Sequence, residues 1–327
     1  MKYVIYDTNE YIRMIGGRPD LSFEMIDQNV ALLHQSERRL GLTPIFNTTV
    51  AFELIQHLNS SKPDDQEKYI RACYALYIHC CNPIVCITKN PYVAYIEEKT
   101  GNIIIPTNRT LNFLKALSIA PTAQTIAENK DFIIEVENYL RDLKADFLAN
   151  LQVLRNQYKN DDKGKKEFLH MVDSREYLQY RANTFLCSIC QACKKINIMI
   201  SSQSLSGMAA TKAFIKTHRV HIEMWRIFDR DYGQGRYNLK NLKTANTGLD
   251  AEICYYAGAR IDSCSIGVVS EERLFHQSAR KALLGNLVLS IGQVREGNKI
   301  NMMIKDLYYS IAKKVRDFVE LQMLLLV

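Results

Sequence analysis

The chain has 327 residues, 47% of them hydrophobic and 24% charged, which bounds it to one or two folded domains and excludes a disordered polymer. Its net charge of +7 permits an anionic partner without demanding one. Nine cysteines scattered through helical-looking segments read as reduced thiols. No apolar run approaches the roughly 18 residues that span a bilayer, and Met1-Lys2-Tyr3-Val4-Ile5-Tyr6 meets Asp7 too soon for a secretory leader. The expectation is a soluble, cytoplasmic protein with no membrane contact.

Tyr3-Val4-Ile5-Tyr6 is a continuous apolar run, the pattern of a parallel strand buried on both faces. Asp7-Thr8-Asn9 then offers capping side chains for a helix beginning near Glu10. A second helix is predicted over 23–40, ended by Gly41. Pro44-Ile45-Phe46-Asn47 reads as a short strand, with Thr48 or Thr49 capping the helix that carries Glu53. From about Pro63 to Lys243 the chain reads as mostly helical, with strand signals at Pro83–Ile87 and Asn102–Ile105. Ile133, Val136, Leu140, Leu143, Phe147, Leu151 and Leu154 mark one long amphipathic helix. A polar break at Asn160–Lys166 precedes a helix to about Met199, and another runs from near Ser206 to Asp231. The α/β grammar then returns. Leu249–Ala259 is predicted helical, Ser265–Val269 a strand, Leu287–Ile291 another, with a closing helix from about Met303 and the apolar tail Leu321–Val327 as a packing segment. The expected architecture is an α/β domain built from residues 1–62 plus 244–327, interrupted by a helical insertion at 63–243.

Four acids fall where such a sheet would gather them. Asp7 follows the first strand, Glu53 lies on the helix after the second, Asp250 is in the predicted first turn of a helix, and Glu272 closes the strand at Val269. Ligands of open parallel sheets bind beyond the carboxyl ends of the strands, and converging carboxylates need a cation there. Hard oxygen donors suit Mg²⁺ or Mn²⁺. Taken singly each acid has a plainer reading: Asp7 and Asp250 as helix caps, Glu53 as a solvated helix residue, and Glu271-Glu272 as a polar turn.

The ordered set resembles the PIN-like nuclease domain. Tyr3-Val4-Ile5-Tyr6-Asp7-Thr8-Asn9 is similar to that family's opening strand and first acid, and Val50-Ala51-Phe52-Glu53-Leu54 to its second acidic motif. Leu249-Asp250-Ala251-Glu252-Ile253-Cys254-Tyr255-Tyr256-Ala257 resembles the third. Ile266-Gly267-Val268-Val269-Ser270-Glu271-Glu272 looks like the fourth, where Asp is commoner than Glu. The resemblance covers about residues 1–60 and 245–300. It implies a PIN-like α/β/α three-layer fold with a parallel sheet, metal ligation by Asp7, Glu53, Asp250 and Glu272 (Glu271 being the alternate fourth acid), and hydrolysis of RNA, or of single-stranded or structured DNA. Thr8, Asn9 and Ser270 are the expected donors that orient those carboxylates; Glu252, two residues past Asp250, is a weaker candidate. The 196 residues between Glu53 and Asp250 depart from compact relatives, though a long insertion on a loop is thermodynamically tolerable. The expected activity is endoribonucleolytic, in a toxin-like or defence role by extension from the family. The alternatives are a degenerate scaffold binding RNA or protein, and a structure-specific DNA nuclease.

Three further features carry weaker expectations. Lys212–Lys243 holds eight Lys/Arg against three Asp/Glu, interleaved with His218, His221, Trp225, Tyr232 and Tyr237. That mixture suits single-stranded nucleic acid, through Arg230, Arg236, Tyr237, Lys240 and Lys243, or else is a solvated face with Trp225 in the core. Cys187-x-x-Cys190-x-x-Cys193 reads as core packing, with no fourth ligand nearby, and His218-x-x-His221 as a core or surface pair rather than a zinc site. The helical insertion offers a substrate platform, a docking site for a protein partner or a homo-oligomer surface.

Overall fold

The structure is a computed structural model that describes residues 2–81, 87–88, 91–100, 108–158, 161–195, 207–237, 242–261 and 264–295. Strand β1 (Tyr3–Tyr6) is buried along its whole length, as its uninterrupted apolar run requires. Helix α1 (Thr8–Met14) starts one residue later, with the Asp7 carboxylate accepting from Thr8 N at 2.7 Å. Helix α2 (Phe23–Leu40) has the predicted bounds: Ser22 Oγ accepts from Met25 N at its start, and Gly41, at φ +66°, turns the chain out of the helix.

The segment expected as one strand divides in two. β2 (Thr43–Pro44) joins β1, while β3 (Phe46–Asn47) pairs with β4 (Ile87–Thr88). Pro44 has no N–H, so the ladder to β1 rests on Thr43 N to Lys2 O (2.7 Å) and Ile45 N to Val4 O (2.9 Å) before the chain leaves. Helix α3 (Thr48–Ile55) is capped by Asn47, which accepts from Val50 N at 3.0 Å, and not by Thr48 or Thr49. Those hydroxyls point outward instead, to Thr88 O and to Glu252.

The helices α4 (Pro63–Cys80), α5 (Pro91–Thr100), α6 (Asn108–Ile119), α7 (Ala123–Glu128) and α8 (Lys130–Tyr158) follow. The predicted Ile133–Leu154 stripe lies inside α8, with Ile133, Val136, Leu140 and Leu151 buried. The polar break is shorter than expected, because Asp161 caps α9 (Asp162–Asp173) by accepting from Gly164 N at 2.8 Å. The helix expected to reach Met199 is two, α9 and α10 (Tyr177–Lys195), and the next is also two, α11 (Met208–Thr217) and α12 (Arg219–Gly233), broken at His218. Helix α13 spans Leu242–Tyr255, so Asp250 sits in its third turn and is not a cap. It begins before the predicted Leu249: Thr244, Ala245 and Thr247 are buried, and a Cβ on Gly248 would come within 3.3 Å of the Phe147 ring on α8.

After α13 come β5 (Arg260–Ile261), β6 (Cys264–Val269), α14 (Arg273–Lys281), β7 (Val288–Leu289) and α15 (Ile291–Arg295). β7 is shorter than the predicted 287–291. The sheet has five strands in the order β2-β1-β6-β5, with β7 also on β6. It is mixed rather than purely parallel: β2, β1, β6 and β7 run parallel, and β5 folds back antiparallel on the start of β6. The expected strands within 83–86 and 102–105, the helix from Met303 and the tail 321–327 lie outside the described residues.

The segment assigned to an insertion shares its core with the sheet-bearing ends. One buried cluster runs from Tyr3 to Val294 and takes in Ile70, Leu76, Ile133 and Leu140. Helix α4 packs on α1, α2 and α3, and α8 packs on α3 and α13. No helix among the described residues is long and apolar enough to cross a membrane.

Candidate metal centre

Register places the first two components. Tyr6 pairs with Val269 at the carboxyl ends of parallel β1 and β6, so the next residues, Asp7 and Ser270, emerge side by side. Ser270 Oγ donates to Asp7 Oδ2 at 3.0 Å and itself accepts from Glu272 N at 3.0 Å. Asn9 Nδ2, from the second residue of α1, donates to Glu272 Oε1 at 3.1 Å. The Thr8 hydroxyl donates to Glu53 on α3. Asp7 is buried, with Glu272 and Asn9 at the exposed rim above it.

Electrostatics draws Asp250 into the same group. Burial pushes its carboxyl well above the usual range, and Asp7, Glu53 and Glu272 push it further. Burial likewise lifts Asp7 to about 6, opposed by the Ser270 hydrogen bond and reinforced by Glu272. Glu53 is lifted by burial to about 7, with Thr8 opposing and Asp7 adding to the rise. The structure therefore brings together all four acids expected at the site, along with Thr8, Asn9 and Ser270. Asp7 is also the α1 cap, as its plainer reading expected.

The two adjacent glutamates point in different directions. Glu271 accepts from Ile291 N at 3.0 Å, at the start of α15. Glu272 faces the acids.

Glu252, the weaker candidate by spacing, accepts from Thr49 at 2.9 Å and adds its charge to the field at Glu53. Two further neighbours escaped the sequence reading. Lys144 on α8 is the nearby cation: its field favours the charged form of Glu53, and its Nζ reaches Gln56 Oε1 at 3.5 Å. Glu10, fully buried in the first turn of α1, holds Arg13 at 2.6 Å and accepts from Glu271 N, leaving Oε2 without a partner. Glu10 and Lys144 have no local motif; only the tertiary fold gives them a role.

The donor set fits a hard divalent cation: carboxylates that repel one another, from buried Asp7 through half-buried Glu53 and Asp250 to exposed Glu272, with hydroxyl and amide donors on Asp7, Glu53 and Glu272. Their spacing is loose. Among the described residues only His34, Glu37 and His79 offer three ligand atoms mutually within 4.8 Å, so the four carboxylates stand wider than a single-ion cage. A cavity of about 450 Å³ adjoins them through Lys144 and Glu252, walled by Phe147, Trp225 and Arg181.

The basic, aromatic stretch is largely spoken for by the protein itself. Arg230 pairs with Asp173 and Arg236 with Asp231 (2.9 Å). Tyr237 packs on Phe228 at 4.6 Å between ring centroids, beside Trp225. Lys240 and the Lys243 side chain lie outside the described residues. His221 Nδ1–H donates to Ala251 O at 2.8 Å while Nε2 accepts from Trp225 Nε1, and burial pushes its pKa down to about 3; it is a neutral clamp between α12 and α13. His218 lies 2.9 Å from Tyr255 O and stacks on the Tyr255 ring. Of the three helical cysteines only Cys193 is buried, and Cys187 is exposed. Three-residue steps fall short of a full turn, so the thiols fan across the helix: Cys193 lies in the core, Cys190 packs against it and Cys187 does not reach it.

Comparison with protein families, with curated proteins and with solved structures finds no match.

Proposed function

We propose that this chain is a PIN-like, divalent-metal-dependent phosphodiesterase acting on RNA. The observation that carries the reading is the meeting of Asp7, Glu53, Asp250 and Glu272, two from each end of the chain, beyond the carboxyl ends of parallel β1 and β6. Asp7, Glu53 and Asp250 would hold Mg²⁺ or Mn²⁺, with Glu272 at the rim and Thr8, Asn9 and Ser270 fixing the carboxylates. Such an ion activates bound water and neutralises charge on a phosphodiester's leaving oxygen. The chain's own contribution is the array: Thr8 fixes Glu53, Ser270 fixes Asp7 and the Glu272 backbone together, and the buried setting strengthens every charge. Lys144 and the adjoining aromatic cavity supply a cation and stacking surfaces for flanking nucleotides.

The test is incubation of the full chain with labelled single-stranded RNA, single-stranded DNA and flapped duplex, with Mn²⁺ or Mg²⁺ and with EDTA. RNA cleavage that EDTA and Asp250→Asn both abolish is the expected result. Cleavage that survives Asp250→Asn would sink the assignment, and cleavage of the flapped duplex alone would move the substrate to DNA. One observation favours a second reading, a scaffold that binds RNA or protein without cutting: the carboxylates are spread wider than a single-ion cage. Calorimetric titration with Mn²⁺ separates the two, because a scaffold need not bind the ion.

A further inference from the structure

On the far side of α1 from the acids, α2 and α4 enclose a second polar cluster. Glu37 is 1% exposed, and its two oxygens face two imidazoles: His79 Nε2 at 2.9 Å from Oε1, and His34 Nδ1 at 2.9 Å from Oε2. Its ion pairs among the described residues are with these histidines, so a buried carboxylate has no fixed cation. Two tyrosines support the ring of donors. Tyr6 OH, from β1, donates to Glu37 Oε1 at 2.6 Å, and Tyr11 OH, from α1, lies 3.2 Å from His79 Nδ1 and 3.2 Å from Cys80 Sγ.

The geometry points to a zinc site formed by His34, Glu37 and His79, separate from the acidic centre and built to pin α2 to α4. Two imidazoles and a carboxylate are a set that Zn²⁺ accepts, with water in the fourth position. The three ligand atoms already lie mutually within 4.8 Å, against about 3.3 Å between donors in a tetrahedral site with bonds near 2.0–2.1 Å. Small side-chain rotations close that gap. The outer contacts match as well. A metal-bound His79 carries its proton on Nδ1, and the Tyr11 hydroxyl is placed to accept it while donating toward Cys80. Tyr6 holds the free lone pair of Glu37. These are the hydrogen bonds that orient ligating histidines and carboxylates elsewhere. His34, 29% exposed at its side chain, is where an ion would enter. His34 and Glu37 are three apart on α2, so one helix face presents two ligands without strain. Without metal the same groups form a closed hydrogen-bond network, and that is the alternative the test must reject.

Full-length protein without an affinity tag, stripped with chelator, is titrated with Zn²⁺ against a chromophoric competitor. It is titrated in parallel with Co²⁺ while the visible spectrum is recorded. Asp7→Asn, which disables the acidic centre, serves as the background. One equivalent of Zn²⁺ bound in that background, with the visible Co²⁺ bands of a four-coordinate site, is the expected result. His34→Gln then loses the equivalent and the bands, and Tyr11→Phe weakens binding by about 10–100-fold. A folded His34→Gln that still binds Zn²⁺ as tightly as its parent overturns the proposal. So does a wild-type chain giving no cobalt bands, a readout that needs no variant to fold. None of these signals depends on cleavage, so failure of the nuclease reading leaves them unchanged.

Discussion

Asp7 and Ser270 lie 263 positions apart in sequence and share a hydrogen bond of 3.0 Å. That contact is set by strand register, because Tyr6 and Val269 are partners in the β1–β6 ladder, and it puts the start of the chain and its last third into one polar cluster. The cluster is costly without a cation, and the cost gives the first prediction.

Burial raises the Asp7 carboxyl from 3.8 to about 6. Well below pH 3.8 the group is protonated in folded and unfolded chains alike and costs nothing. As the pH climbs from 4 to 6 the unfolded chain gives up the proton first, so metal-free protein loses stability through this window and stays at the lower level above it. Two units correspond to ~3 kcal/mol as an upper figure. Asp7→Asn, which keeps the cap, should therefore raise the metal-free melting temperature at pH 7.5 by several degrees and much less at pH 4. Mn²⁺ should raise the wild-type melting point at pH 7.5 and leave the variant's alone. Scanning fluorimetry checks all four conditions; an equal Mn²⁺ shift in both proteins would remove Asp7 from the site.

Glu271 and Glu272 separate by what they touch. Glu271 accepts from Ile291 N at the exposed start of α15, a helix already capped by Ser290 and Gln293, so Glu271→Ala should cost less than about 1 kcal/mol of stability and leave cleavage intact. Glu272→Gln should do the reverse, lowering cleavage at least tenfold with an unchanged urea midpoint. If the two phenotypes came out exchanged, the fourth acid would be Glu271.

Strands β1 and β6 were legible because they depend on local pattern. Tyr3–Tyr6 and Ile266–Val269 are apolar runs, the first followed directly by Asp7 and the second by Ser270 and two glutamates, and Gly41 stops α2 where its conformation demands. Spacing alone was blind to three-dimensional partners. Glu252 seemed misdirected on its helix, yet Thr49 reaches it from α3. The cations of 212–243 looked like a nucleic-acid surface because their acids, Asp173 for Arg230 above all, are distant in sequence or fall between them on the helix face. The start of α13 lies seven residues before the predicted Leu249, in a stretch where Gly248, a poor helix former, packs close against Phe147.

Thr8 tests whether the orienting shell matters. Its hydroxyl is the hydrogen-bond donor to Glu53, and its β-branch suits the first turn either way. Thr8→Val keeps the shape and removes the donor. Mn²⁺ affinity should fall about 10–100-fold, measured by calorimetry, while circular dichroism stays unchanged. An affinity equal to wild type would show that Glu53 takes no part in holding the ion.

Arg230 and Asp229 are neighbours on α12 with opposite fates. Arg230 pairs with Asp173 at the surface, their side chains 30% and 57% exposed. Such a pair is worth less than about 1 kcal/mol, so Arg230→Ala should barely move the urea midpoint, and RNA affinity should not change if this arginine is committed to the fold. Asp229 is 2% exposed and accepts from both Arg181 and the Tyr177 hydroxyl. Asp229→Ala leaves Arg181 facing a wall of aromatic rings, Trp225 among them at 4.7 Å, with no counter-charge. Removing one partner of a buried pair costs about 3–5 kcal/mol, and here that loss falls beside the cavity joined to the acidic centre. The variant should unfold at a markedly lower urea concentration and bind RNA more weakly wherever it stays folded. A loss below 1 kcal/mol would mean that water reaches Arg181 and that the α10–α12 seam is open to solvent.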